Sequence, residues 1–136
     1  MFDKPFALEV ITPERTVLST QAVSVSAPGV EGGFQVLFAH APLLSALEVG
    51  RITVRLADGT EHLFATSGGV LEVRDNKVLL LLETAERPQE IDAQRAEAAR
   101  DRAQARLAHR TPELDIIRAE ASLHRALNRL RAVQKS

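Results

Sequence analysis

Apolar and polar residues alternate at Phe6, Leu8 and Val10, at Val23 and Val25, and at Ile52, Val54 and Leu56. A period of two belongs to strands with one buried face. Asp58-Gly59 lies between two such runs, and Asp-Gly signals a hairpin because glycine adopts positive φ at little cost. Asp75-Asn76 separates the apolar runs at 70–73 and 78–82 in the same way. The unbroken run at 79–82 predicts a strand buried on both faces. Short strands punctuated this closely predict an antiparallel sandwich or barrel over residues 1–87.

From Pro88 the period changes to three and four. Pro88 fits a first helical turn, and Glu90 and Asp92 suit the positive end of the dipole, so one helix is predicted from there to about His109. Thr111-Pro112 breaks it, with Thr111 as the expected cap of a second helix over about 113–133. Ile116, Leu123, Leu127 and Leu130 form its apolar stripe. The short break predicts an antiparallel pair. The fold class is therefore α+β: an N-terminal antiparallel β-sandwich, residues 1–87, followed by a two-helix hairpin, residues 88–136. The first helix offers Ala96, Ala99 and Ala103 to its partner, with Ile91 and Leu107 as its large apolar side chains. Such a stripe buries little area, so the hairpin is expected to depend on docking elsewhere.

Composition sharpens the division. All 7 glycines and all 5 phenylalanines precede Pro88. Residues 1–88 carry 7 basic and 11 acidic side chains, the remainder 10 and 7, so the segments differ in sign although the net charge is −1. No cysteine is present, which excludes disulfides, thiolate catalysis and cysteine-type zinc sites. No run of about 18 apolar residues predicts a membrane span, and residues 1–13 lack the order of a signal or transit peptide.

Catalytic motifs are missing. There is no phosphate-cradling glycine loop with lysine and no Gly-x-Ser-x-Gly elbow, and His40, His62, His109 and His124 lack metal-ligand spacing. An enzyme built on Glu83, Glu86 or His40 would need a concave pocket. No catalytic or metal-binding residue is assigned. The arginines are more informative. At 100° per residue, Arg95, Arg102 and Arg106 share one helix face with Asp92 beside them, and Arg125 and Arg129 share a face of the second helix. Three readings fit: a solvated basic face, a surface for an acidic protein partner, or a site for an anion, since guanidinium forks match phosphate oxygens. Nucleic acid is a poor match, because this half has no aromatic residues.

Four stretches then resemble one family in order. They are Glu31-Gly32-Gly33 through Val36-Leu37 to His40-Ala41-Pro42-Leu43-Leu44; Ser67-Gly68-Gly69-Val70-Leu71-Glu72-Val73 with Asn76-Lys77-Val78; Ala85-Glu86-Arg87-Pro88 with Ile91-Asp92-Ala93-Gln94-Arg95-Ala96; and Arg125-Ala126-Leu127-Asn128-Arg129-Leu130. Together they resemble the epsilon subunits of bacterial F-type ATP synthases. Gln35 and Phe38 depart from the family pattern, which has glycine and proline there.

The resemblance implies a non-catalytic rotor subunit on the cytoplasmic face of the bacterial inner membrane, coupling proton translocation to ATP synthesis. Its sandwich would grip the gamma subunit and rest on the c-ring, with the loop at 31–40 at the ring end. Its mobile hairpin would restrain ATP hydrolysis when extended toward the alpha and beta subunits, where Arg118, Arg125, Arg129 and Arg131 would face acidic groups. No cofactor is required, but the folded hairpin is implied to bind ATP as a regulatory ligand. Matched motif by motif, the binding residues are Glu86, Ile91, Asp92, Arg95, Ala96, Arg102, Arg125 and Arg129. The alternative from another class is a free-standing adaptor whose sandwich and basic hairpin bind other proteins.

Overall fold

A computed structural model describes residues 4–135. The chain divides into two compact units, with the division between Arg87 and Pro88.

The first unit holds β1 (Phe6–Ile11), β2 (Thr16–Ala22), β3 (Ser24–Gly29), β4 (Gly32–Val36), β5 (Leu43–Leu47), β6 (Gly50–Arg55), β7 (Glu61–Thr66), β8 (Gly69–Arg74) and β9 (Lys77–Leu82). They form one nine-stranded sheet in the order β2-β1-β9-β8-β5-β3-β6-β7, with β4 paired to β3, folded over a common core. That core is made by alternation: Phe6, Leu8 and Val10 from β1, Ile52 and Val54 from β6, Leu71 and Val73 from β8, Val78, Leu80 and Leu82 from β9. The pairing is antiparallel with one exception. β1 and β9 run parallel, from Ala7 opposite Lys77 to Ile11 opposite Leu81. They are the first and last strands, so no tight turn joins them and nothing forces them antiparallel.

Both expected turns are present. Gly59 (φ 88°) lies in the β6–β7 connection, where the Asp58 carboxylate accepts the Thr60 N–H at 2.9 Å. Asp75 and Asn76, at φ 51° and 57°, form the two-residue β8–β9 turn between paired Arg74 and Lys77. Gly69 is fixed by crowding. A Cβ there would meet the Leu81 carbonyl oxygen at 2.1 Å.

The run at 79–82 corrects the expectation of burial on two faces. Leu80 and Leu82 are buried, whereas Leu81 is 48% exposed. Only one side of β9 faces the core. An unbroken apolar run cannot separate a strand covered twice from one that carries apolar side chains to the surface.

In the second unit, α1 (Ala93–Ala108) packs against α2 (Ile116–Lys135). Both helix starts differ from expectation. Pro88–Glu90 is a separate 3₁₀ turn, and Asp92, in extended geometry (φ −82°, ψ 103°), caps α1 by accepting the Arg95 N–H at 3.1 Å. Thr111 does not cap α2. Its carbonyl closes a turn with Leu114, and the Asp115 carboxylate instead accepts the Arg118 N–H at 3.0 Å. In both cases a carboxylate nearer the helix accepts one of the free N–H groups of the first turn. The contact differs too. Ala96 and Ala103 on α1 and Ala119, Ala126 and Ala132 on α2 are buried, while Leu123, Leu127 and Leu130 are half-buried. Alanines six or seven residues apart let the two backbones approach closely, which leaves larger neighbours at the margin of the contact.

Candidate functional site

Two surfaces present themselves, one on each unit. On the sandwich, residues between the buried positions point outward and align across four strands. One row runs Ile11, Leu81, Val70 and Ala46; the next runs Glu9, Leu79, Glu72 and Leu44. Leu44 is 72% exposed, and Val70 and Leu81 are exposed beside it. Glu9 also pairs with Lys77 at 3.3 Å. The apolar row ends in a cleft of about 340 Å³ lined by Ile11, Thr12, Pro13, Leu81, Leu82 and Glu83. Several large apolar side chains in register on one face, rimmed by carboxylates, form a surface for a protein partner rather than for a small polar ligand.

Beside these rows, the loop that leads into β5 is held from a distance. The Asn76 side chain accepts the Ala39 N–H at 2.8 Å and donates to the Pro5 carbonyl at 3.3 Å. Ala39 itself has φ 58°. The His40 N–H bonds to the Leu37 carbonyl and its Nδ1 lies 2.7 Å from the Ala41 oxygen, so His40 is a turn histidine. Phe38 is half-buried with the Lys4 ammonium 5.6 Å from its ring centre, and Gln35 is exposed on β4. The tie between Asn76 and Ala39 was not read from the sequence. An asparagine at a turn with positive φ was the only local sign of it.

The eight residues matched to a nucleotide site are distributed as follows. Glu86 lies one residue before the end of the first unit, half-buried, its backbone paired both ways with Ala65 at 2.8 and 2.9 Å. Ile91 is half-buried after the 3₁₀ turn, and Ala96 is buried in the helix contact. Asp92 and Arg95 are joined through the cap hydrogen bond. Arg95 and Arg102 are exposed on α1, while Arg125 and Arg129 are half-buried on α2. The Arg125 Nη2 donates to the Ser122 hydroxyl at 3.2 Å. Arg95 and Arg102 on α1 are thus open to solvent, a geometry that suits an arriving anion or a solvated face alike. Among the described residues no group of three or more metal-ligating side chains occurs, and no helix is long and apolar enough to cross a membrane.

Comparison with known proteins adds three findings. Residues 5–88 match the family model for the ATP synthase delta/epsilon chain β-sandwich domain, and residues 89–134 match that for the long α-helix domain of the same chains. The chain is 53% identical over 132 residues to a protein of Pelotomaculum thermopropionicum named ATP synthase epsilon chain, covering 97% of this chain and 98% of that one. It is 50% identical over 106 residues to the protein of that name from Nitratidesulfovibrio vulgaris, covering 78% of each. Among solved structures, a chain of the Euglena gracilis mitochondrial ATP synthase (OSCP/F1/c-ring) shares the fold at TM-score 0.78 and 20% identity, covering 96% of this chain and 80% of that one. A chain of the Tetrahymena thermophila mitochondrial ATP synthase central stalk and c-ring does so at TM-score 0.58 and 16% identity, covering 98% and 96%.

Proposed function

The chain belongs to the ATP synthase delta/epsilon chain family, and from that premise we propose that it is a non-catalytic subunit of the rotor. It joins proton-driven rotation of the membrane ring to ATP synthesis from the cytoplasmic face of the membrane. The observation that carries this reading is the outward apolar face of the sandwich, with Ile11, Leu81, Val70 and Ala46 aligned across strands and Leu44 in the row beside them. A rotor subunit transmits torque, so it needs a broad, rigid contact, and side chains seated on paired strands supply one. The gamma subunit is the partner for this face. The loop held by Asn76, with Phe38 and His40, is the part that meets the c-ring.

Binding of purified gamma subunit tests the assignment. Leu44→Asp with Leu81→Asp places two charges on the face without entering the core. Affinity is expected to fall by about tenfold or more per anchor while the circular dichroism of the sandwich stays unchanged. Unaltered affinity in a folded double variant would remove this face from the interface.

The helical unit is the regulatory element of the proposal. It occupies a folded or an extended state and restrains hydrolysis in the extended one. ATP shifts that balance only as far as it binds the folded state better. Glu86, Ile91, Asp92, Arg95, Ala96, Arg102, Arg125 and Arg129 are the residues proposed to hold it. Removal of residues 89–136 is expected to preserve assembly and relieve inhibition of hydrolysis. Arg129→Ala is expected to weaken ATP binding in calorimetric titration, and an unchanged affinity would take Arg129 out of the site.

A further inference from the structure

The connection between the two units starts as a seam. Pairing of β9 with β8 continues past Leu82 in unbroken register, one residue back for each residue forward. Glu83 donates its N–H to the Gly68 carbonyl at 2.9 Å. The Thr84 hydroxyl accepts the Ser67 N–H at 3.1 Å and lies 2.9 Å from the Ser67 hydroxyl. Glu86 and Ala65 exchange both backbone hydrogen bonds. At the end of the register, the Arg87 guanidinium sits 4.6 Å from the centre of the Phe64 ring, and its Nη1 lies 2.9 Å from His62 Nδ1. Residues 83–87 thereby cover part of the outer edge of β7, the last strand of the sheet.

The last of these contacts differs in kind from the others. An arginine can only donate, so the bond requires a lone pair on Nδ1 and hence a neutral imidazole with its proton on Nε2. An imidazolium would set a second N–H and a second positive charge against Arg87 at hydrogen-bond distance. The remaining surroundings give the added charge little support. Val54, opposite His62 on β6, is buried and apolar. Arg55 and Glu61 alternate with that pair onto the other face, where they bridge each other at 3.1 Å. Among the described residues, Asp58 in the β6–β7 turn is the acid that acts on the ring, while Glu86 sits half-buried next to Arg87. Burial first, and Arg87 second, hold the imidazole below its usual titration range, with Asp58 opposing them.

We propose that this seam is a proton-sensitive anchor: neutral His62 holds Arg87 and fixes where the helical unit departs, and protonation of His62 opens the seam from its Arg87 end. The Phe64 ring holds a guanidinium in either protonation state, so His62 sets the response. Opening back to Glu83 frees four residues, roughly 13 Å of extended chain, for the helical unit to swing on. The consequence for regulation rests on the two-state hairpin proposed above, whereas the seam itself does not. Gamma-subunit binding by the outer face involves none of these residues, so failure of one reading leaves the other standing.

Nuclear magnetic resonance of the full chain tests the anchor. The sign follows from the His62 shift. With the folded-state value below the unfolded one, the stabilisation is present above about pH 6.5 and is lost as pH falls toward the depressed value. Exchange protection of the Ala65 and Glu86 amides, corrected for the intrinsic pH dependence of exchange, is expected to fall roughly tenfold between about pH 7.5 and about pH 5. The Ile52 and Val54 amides, deep in the sheet, should hold. His62→Gln keeps an acceptor that does not titrate, so the fall should vanish in it. Constant protection in the parent chain, or the same fall in His62→Gln, would overturn the proposal. The His62 ring titration decides independently of that variant's folding: in Arg87→Gln it should move up toward the ordinary histidine range, and an unmoved titration would equally refute the coupling.

Discussion

The two units are held by opposite means. In the sandwich, every large and fully buried side chain comes from a strand: Phe6, Phe64, Leu8, Ile52, Leu71, Leu80 and several valines. Among the described residues of α1 and α2, the buried apolar side chains are alanines, at 96, 103, 119, 126 and 132. Burial of a leucine or phenylalanine contributes about 1.5–3 kcal/mol, whereas an alanine offers about one methyl group. Alanine gives α1 and α2 high intrinsic propensity and a close seam, but little to resist separation. A unit so made keeps its helices while its packing is marginal, which suits the change of position proposed for it. The sandwich has no such freedom, which suits the torque-bearing face proposed for it.

The sharpest way to break this contrast is to cut the sandwich core. Leu80→Ala, on a central strand and fully buried, is expected to cost about 2–5 kcal/mol through lost transfer and a residual cavity. Its denaturant midpoint should fall as one cooperative transition of the β signal. A cost under about 1 kcal/mol would mean that the core collapses readily and that the two units are not so different. A smaller effect should follow from overfilling the helical seam. Ala126→Leu, at a buried alanine facing the helix contact, is expected to cost about 1–3 kcal/mol by forcing α1 and α2 apart. It should lower the helical transition and leave the β transition where it was. Coincident shifts of both would show that the units unfold together.

Most of this contrast was legible along the chain. The period of two before Pro88, the turns at Asp58-Gly59 and Asp75-Asn76, and the alanine stripe at Ala96 and Ala103 all reappear in space. What escaped is of two kinds. The parallel contact of β1 with β9 and the hold of Asn76 on Ala39 join residues far apart, and a local pattern carries no record of a distant partner. The exposed Leu81 and the late start of α1 are different. There the local signal was present but ambiguous: an apolar run reads as burial, and Pro88 reads as a helix start, although it opens a 3₁₀ turn. Leu81 was misread for the reason that makes it useful. A core pattern extended to the surface is a docking pattern.

The smallest expected effect bears on the residue with two claims on it. Asp92 was matched to the nucleotide site, yet its carboxylate already accepts the Arg95 N–H as the cap of α1. Loss of ATP binding in Asp92→Ala would therefore be ambiguous by itself, since a frayed first turn also displaces Arg95. Asparagine separates the two claims. It caps about as well as aspartate but carries no charge. Asp92→Ala is expected to destabilise the helical unit by about 0.5–2 kcal/mol, and Asp92→Asn by a few tenths at most. If the carboxylate itself meets the ligand, both variants weaken ATP binding in calorimetric titration although only alanine weakens the helix. If Asp92 acts solely by ordering the turn that presents Arg95, affinity follows helix stability, and the asparagine variant binds as the parent does. The first outcome makes α1 a recognition element with its charge in the site. The second makes it a scaffold whose alanine seam and cap together set how often the arginines are presented.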